Sequence, residues 1–352
     1  MKAILLVVAL LHQEDKLDSA FKGVREAVEK EEIPGAIALV ARDGNVLRHE
    51  AFGLSDVENR IPFRKDTLCW MASITKPVTG AAVMTLVDAG KVGLDDPVQK
   101  HLPEFKAHPA FTVRQVLTHT AGLPTNPPSR KRDGRGPGGA VDDSWLSQSL
   151  PDIVRAIAQA ELAFKPGERV MYSNAGSFVL GRLIEVVSGK PFAAYVREKV
   201  LDPLGMKDST FAPAASDAAR VSPIYREVQG KRTPDFRFNP DLRIVNTAPD
   251  GGLFSNPGEL WKFLQMFLDD DGKVLSRAAV AEMLKEQAPG RGLGWGVQKD
   301  GTFSHGGSSG TFAWADPKTR VVGILFMQYW GGDKVGRVRE DFVRAVREAT
   351  TP

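Results

Sequence analysis

The stretch WMASITKPVTGAAVMTLVDAG, residues 70–90, decides between two folds for this chain. It holds Ser73-x-x-Lys76 at the head of a helical pattern. Residues i and i+3 share a helix face, so hydroxyl and amine can meet there. Pro77 lacks a backbone N–H, which suits the first turn and places the helix start within a turn of it. Ser73 therefore falls at the helix N-terminus, where free N–H groups and the positive dipole end favour an alkoxide-like oxygen. Desolvated lysines act as bases toward neighbouring nucleophiles, and this spacing offers Lys76 to Ser73 in that role.

S-x-x-K alone is a weak signal. A second copy, Ser19-Ala-Phe-Lys22, lies in the amphipathic pattern of residues 15–33, where Phe21 packs inward, and it reads as structural. A further stretch adds weight to Ser73. In FKPGERVMYSNAGSFVLGRLIEVVSG (164–189), Tyr172-x-Asn174 precedes an apolar helical run, and of the 4 tyrosines only Tyr172 is followed by Asn two positions on. A phenol beside Lys76 can accept the Ser73 proton. Asn174 can orient the lysine or a substrate carbonyl. The plain alternative is a packed tyrosine and an N-capping asparagine.

The competing fold comes from FSHGGSSGTFAWADP (303–317), where Gly306-Gly307-Ser308-Ser309-Gly310 fits G-x-S-x-G behind His305. In an α/β-hydrolase that pattern is a nucleophile elbow, with a strand before the serine and a helix after it. Here an aromatic-rich strand and a turn follow, and no histidine lies downstream of Ser308. The elbow fails on context and on chain order. The histidine reads alternatively as a hydrogen-bonded strand-end residue.

Composition is that of a globular chain, with 42% hydrophobic and 25% charged residues. A net charge of +3 is too small to imply a nucleic-acid partner. The basic run SRKRDGR (129–135) reads as a solvated loop, part of a Pro- and Gly-rich segment over 124–144 that overhangs a site. One cysteine, Cys69, excludes an internal disulfide and a cysteine-based zinc site. The 6 histidines show no metal-binding spacing, so neither metal nor other cofactor is expected. His119, in LTHTAGL, reads as a structural polar group. MKAILLVVALLHQED matches the n- and h-regions of a signal peptide, giving a leader over residues 1–12 and an exported protein.

Helical spacing over 15–33 leads to AIALVAR and VLRHEAFG flanking DGN, a hairpin. GLGWGVQ, TFAWADP and RVVGILFMQYW read as strands near the other end, with DPKT (316–319) as a turn and a last helix over about 335–349. The fold class is therefore α+β. An antiparallel sheet is built from both chain ends and flanked by terminal helices, with a mostly helical insertion over roughly 67–245. Residues 14–350 form a single catalytic domain.

Ser73-x-x-Lys76, Tyr172-x-Asn174 and His305-Gly306-Gly307, in that order, resemble the serine β-lactamase and penicillin-binding-protein superfamily. More narrowly they resemble the class C branch with its esterases and D-aminopeptidases. GLDDPVQKHLPEF (93–105), VRQVLTHTAGLP (113–124), LDPLGMKDSTF (201–211) and GGLFSNPGELWKFLQMFLDD (251–270) agree. The resemblance implies that Ser73 attacks an ester, amide or lactam carbonyl to give an acyl-enzyme. Lys76 and Tyr172 would share base and acid duty, and Asn174 would position substrate. The N–H groups of Ser73 and Ser308 would form an oxyanion hole, with Gly306 and Gly307 allowing close backbone approach. Its third motif in the β-lactamases carries lysine and threonine, which grip the substrate carboxylate. His305 and Gly306 stand there instead, which leans the reading toward an esterase, amidase or D-amino-acid peptidase acting on small molecules or peptides, cell-wall peptides among them. The alternative is a non-catalytic module of the same fold that holds peptidoglycan-like ligands.

Overall fold

The computed structural model describes residues 17–128, 147–239, 247–269 and 271–351. The leader, the basic run and residues 129–144 of the Pro/Gly loop lie outside the described residues.

Helix α1 (17–29) leads into strands β1 (Gly35–Arg42) and β2 (Asn45–Asp56), then short strands β3 (Ile61–Pro62) and β4 (Cys69–Trp70). Helices α2 (Thr75–Asp88), α3 (Val113–Leu117), α4 (Leu150–Gln159), α5 (Asn174–Ser188) and α6 (Phe192–Val196) follow. Next come β5 (Ile224–Val228), β6 (Lys231–Phe236), β7 (Phe254–Ser255), α7 (Pro257–Asp269) and α8 (Arg277–Leu284). The chain closes with β8 (Gly296–Val297), β9 (Phe303–Gly307), β10 (Thr311–Asp316), β11 (Val321–Phe326), β12 (Tyr329–Trp330) and α9 (Asp333–Thr350).

The main sheet runs β3-β2-β1-β11-β10-β9-β8. Its centre joins the two chain ends: β1 pairs antiparallel with β11, Ile37 opposite Phe326. The hairpin at DGN and the turn at DPKT both form, the latter held by the Asp316 carboxylate accepting from Lys318 N–H at 2.8 Å. The unbroken apolar run of β1 follows from burial on both faces. Ile37, Leu39 and Ala41 face the core shared with α2, α5 and α7, while Ala36, Ala38 and Val40 face α1 and α9. Phe21 of α1 meets Phe342 of α9 edge-on at 6.0 Å. Each fully buried side chain of this size contributes roughly 1.5–3 kcal/mol. Ser19 and Lys22 lie on the exposed side of α1, as expected of a structural S-x-x-K.

Three details differ from the sequence expectation. β8 is only two residues long, and β9 over the glycines takes its place as a full strand. β12 leaves the main sheet to pair in parallel with β5. The hairpin β5–β6 therefore lies within the stretch read as helical, marked by Gln229 and Gly230 at positive φ. Cys69 is buried, and burial pushes its thiol pKa up, as suits an inert residue.

Candidate active site

Ser73 lies in a 3-10 turn, Ala72–Ile74, that runs directly into α2. The start at Thr75 follows from Pro77, which needs no acceptor for its nitrogen in the first turn. Lys76 Nζ donates to Ser73 Oγ at 3.2 Å and to the Asp250 carbonyl at 2.8 Å. Thr79 Oγ1 donates to the Pro249 carbonyl at 2.7 Å, so one face of α2 fixes the 249–253 segment beneath the lysine. Ala72, just before the serine, sits at φ 45°. A left-handed non-glycine residue costs on the order of 1–3 kcal/mol and marks an imposed geometry. Thr75 Oγ1 holds it by donating to the Ala72 carbonyl at 2.8 Å.

Tyr172 reaches the same place from the segment before α5. Its ring centroid lies 4.9 Å from Lys76 Nζ, 4.7 Å from the His119 ring and 6.4 Å from the His305 ring. The Arg291 guanidinium carbon stands 5.8 Å from that centroid. Asn174 is the first residue of α5 and does not cap it; Ser173 does, accepting from Gly176 N–H at 2.9 Å. The Asn174 side chain donates to Asn126 Oδ1 at 2.7 Å. The second partner of Lys76 is the Asp250 carbonyl, and the lysine-orienting alternative for Asn174 has no bond behind it among the described residues, while its substrate-positioning alternative stands as an expectation.

The opposite wall is β9. A Cβ on Gly307 would lie 2.1 Å from Thr311 Oγ1 and 2.5 Å from the Met71 carbonyl, so only glycine lets this strand reach the turn that carries Ser73. Gly306 has no neighbour that close. Ser309 Oγ donates to the Trp70 carbonyl at 2.8 Å and Thr311 Oγ1 to the Met71 carbonyl at 3.0 Å, tying the turn after β9 to the residues before Ser73. Ser308 has an exposed side chain on that turn. His305 makes no hydrogen bond to it; its Nδ1 meets its neighbour, the Gly306 carbonyl, at 2.8 Å, and its Nε2 is buried with no partner among the described residues. The elbow reading fails in space as it does in sequence.

Both histidines of the cleft are held neutral. Burial lowers the pKa of His305 to about 3, with Lys76 and Arg291 adding to the effect. Burial, then Arg291 and Lys76, lowers His119 to about 3. An unfolded imidazole titrates near 6.5, so below that pH the unfolded chain takes up protons that the folded chain refuses. The stability these groups contribute is present above pH 6.5 and is lost as pH falls toward 3. We expect the thermal midpoint to drop by about 5 °C between pH 7 and pH 5, read by circular dichroism. A flat midpoint over that range would show that the imidazoles protonate within the fold. Among the described residues no group of three or more His, Cys, Asp or Glu could hold a metal ion, and no helix is long and apolar enough to cross a membrane.

The family model for Beta-lactamase matches residues 22–348. The chain belongs to the beta-lactamase family. Among curated relatives of this beta-lactamase-family protein, Protein Rv1367c of Mycobacterium tuberculosis is 30% identical, over 89% of this chain and 90% of its own. Esterase EstB of Burkholderia gladioli is 33% identical, over 80% of this chain and 77% of its own. The solved penicillin-binding protein homologue from Pyrococcus abyssi is 29% identical and superposes with a TM-score of 0.78, over 96% of this chain and 78% of that one. The protein is a hydrolase of the beta-lactamase fold.

Proposed function

We propose that this beta-lactamase-family protein is a serine hydrolase that works through an acyl-enzyme on Ser73 and prefers esters to lactams. The observation that carries the reading is the Lys76 Nζ to Ser73 Oγ contact of 3.2 Å at a helix N-terminus, with the Tyr172 ring beside the lysine. Ser73 Oγ attacks the carbonyl carbon while its proton passes to the Lys76–Tyr172 pair. The carbonyl oxygen becomes an oxyanion between the N–H groups of Ser73 and Ser308. Collapse breaks the bond to the leaving group, which takes the proton, and a water repeats the sequence on the acyl-enzyme. Likeness to an esterase supports an ester substrate. So does a neutral His305 on β9, because a neutral imidazole lacks the charge that strengthens a hydrogen bond to a substrate carboxylate.

A hydrolysis panel on the purified protein tests this. We expect kcat/KM for short p-nitrophenyl esters to exceed that for a chromogenic cephalosporin by about 100-fold, the equivalent of two weakened charge-assisted contacts. D-Alanyl amides should fall between. Faster turnover of the cephalosporin reverses the ranking.

A further inference from the structure

His119 is the residue the sequence left as structural, and its surroundings give it a narrower task. It follows α3 at φ 60°, a left-handed position where glycine or asparagine would sit without strain. The His119 carbonyl accepts Met171 N–H at 2.9 Å, and its Nδ1 accepts Ser173 N–H at 3.3 Å. The ring packs on the Tyr172 ring at 4.7 Å between centroids, tilted by 40°. One buried residue therefore holds the residues on both sides of Tyr172 and the face of Tyr172 itself. The bond to Nδ1 also requires the tautomer with its proton on Nε2.

The fixed segment continues on either side. Thr120 and Gly122 carbonyls accept Gly167 and Ala163 N–H at 2.8 Å each, and the Thr125 carbonyl accepts Asn174 N–H at 2.7 Å. Residues 119–125 thus form a rail along which 163–174 is laid. On this rail His119 is the residue whose ring packs on that of Tyr172. We infer that His119 is a positioning residue for the reaction: it sets the direction of the Tyr172 phenol relative to Lys76 and the Ser73 hydroxyl. The inference rests on the acyl-enzyme reading above.

A double-mutant cycle separates positioning from general structural support. His119→Asn tolerates the left-handed backbone and keeps a carbonyl acceptor for Ser173 N–H, but removes the ring. On a p-nitrophenyl ester we expect kcat to fall at least about tenfold, with KM within about twofold, since small misplacements of a catalytic group cost this much or more. In a Tyr172→Phe background the same change should cost less than about twofold. A merely structural residue would lower turnover equally in both backgrounds, and that result overturns the inference. So does an unchanged kcat, or a Tyr172→Phe variant as active as the parent. His119→Gln takes the place of the asparagine variant if circular dichroism shows that one unfolded. Trapping of an acyl group on Ser73, read by mass spectrometry on the parent, tests the underlying reading separately.

Discussion

Ser73→Ala should abolish labelling by a fluorophosphonate and lower kcat/KM for short p-nitrophenyl esters by at least about 10⁴-fold, the scale seen when a nucleophilic serine is removed from a working triad. The fold should survive. Ser73 is only half-buried, and its hydroxyl accepts one hydrogen bond, from Lys76. Lys76 keeps its 2.8 Å bond to the Asp250 carbonyl when the hydroxyl goes. The lost contact therefore reads almost wholly in activity, and the thermal midpoint should move by no more than about 2 °C. Ser308→Ala is the matched control. Its side chain is exposed on the turn after β9 and its proposed contribution is a backbone N–H, which the substitution leaves in place. Labelling that persists in Ser73→Ala and vanishes in Ser308→Ala would restore the elbow reading. A parent that never labels and turns over no ester, indistinguishable from Ser73→Ala, would leave the non-catalytic module.

What the sequence made legible was local. The DGN hairpin, the DPKT turn and α9 each declare themselves within about fifteen residues, because alternation, turn chemistry and helical spacing are short-range signals. The start of α2 was legible for the same reason, since Pro77 constrains only its own turn. The β5–β6 hairpin carries a weaker local signal: Ile224, Val228 and Thr233 flank Gln229-Gly230, a strand-turn-strand pattern inside a helical neighbourhood. β9 was harder. Glycine weakens strand propensity, and Gly306-Gly307 becomes strand only because β10 pairs with it.

The site divides the same way. Ser73 and Lys76 stand three residues apart, so their contact follows from helix geometry. The second hydrogen bond of Lys76 joins residues 174 apart in sequence, and no local pattern announces that Asp250 will offer its carbonyl there. Arg291 and His119 arrive from loops whose course is set by α3 and β8, and their types alone point to no particular site. The Asn174 side chain bonds to Asn126, 48 residues away in sequence, a contact that no local pattern announces.

Lys76→Met should be nearly as damaging as removal of the serine. We expect acylation by a p-nitrophenyl ester to slow by at least about 10³-fold, in the range attributed to a general acid–base partner plus the loss of a nearby cation. Lys76 is the side chain hydrogen-bonded to the Ser73 hydroxyl, so without it the serine has no group at bonding distance to take its proton. Tyr172 should not compensate alone, since its ring packs beside Lys76, 4.9 Å from centroid to nitrogen, while the bond to the Ser73 hydroxyl comes from the lysine. Methionine fills similar volume without charge, so the site, where the lysine is 4% exposed, should close around it. The Asp250 carbonyl would lose its donor, a cost of about 1–3 kcal/mol. Lys76→Arg should not rescue the rate, because a guanidinium stays protonated and cannot accept a proton from Ser73, and its planar fork cannot bond Ser73 and Asp250 from one nitrogen as the lysine does. Stopped-flow release of p-nitrophenolate reads the acylation step directly. An arginine variant within about tenfold of the parent would show that the position supplies charge alone and takes no proton from Ser73.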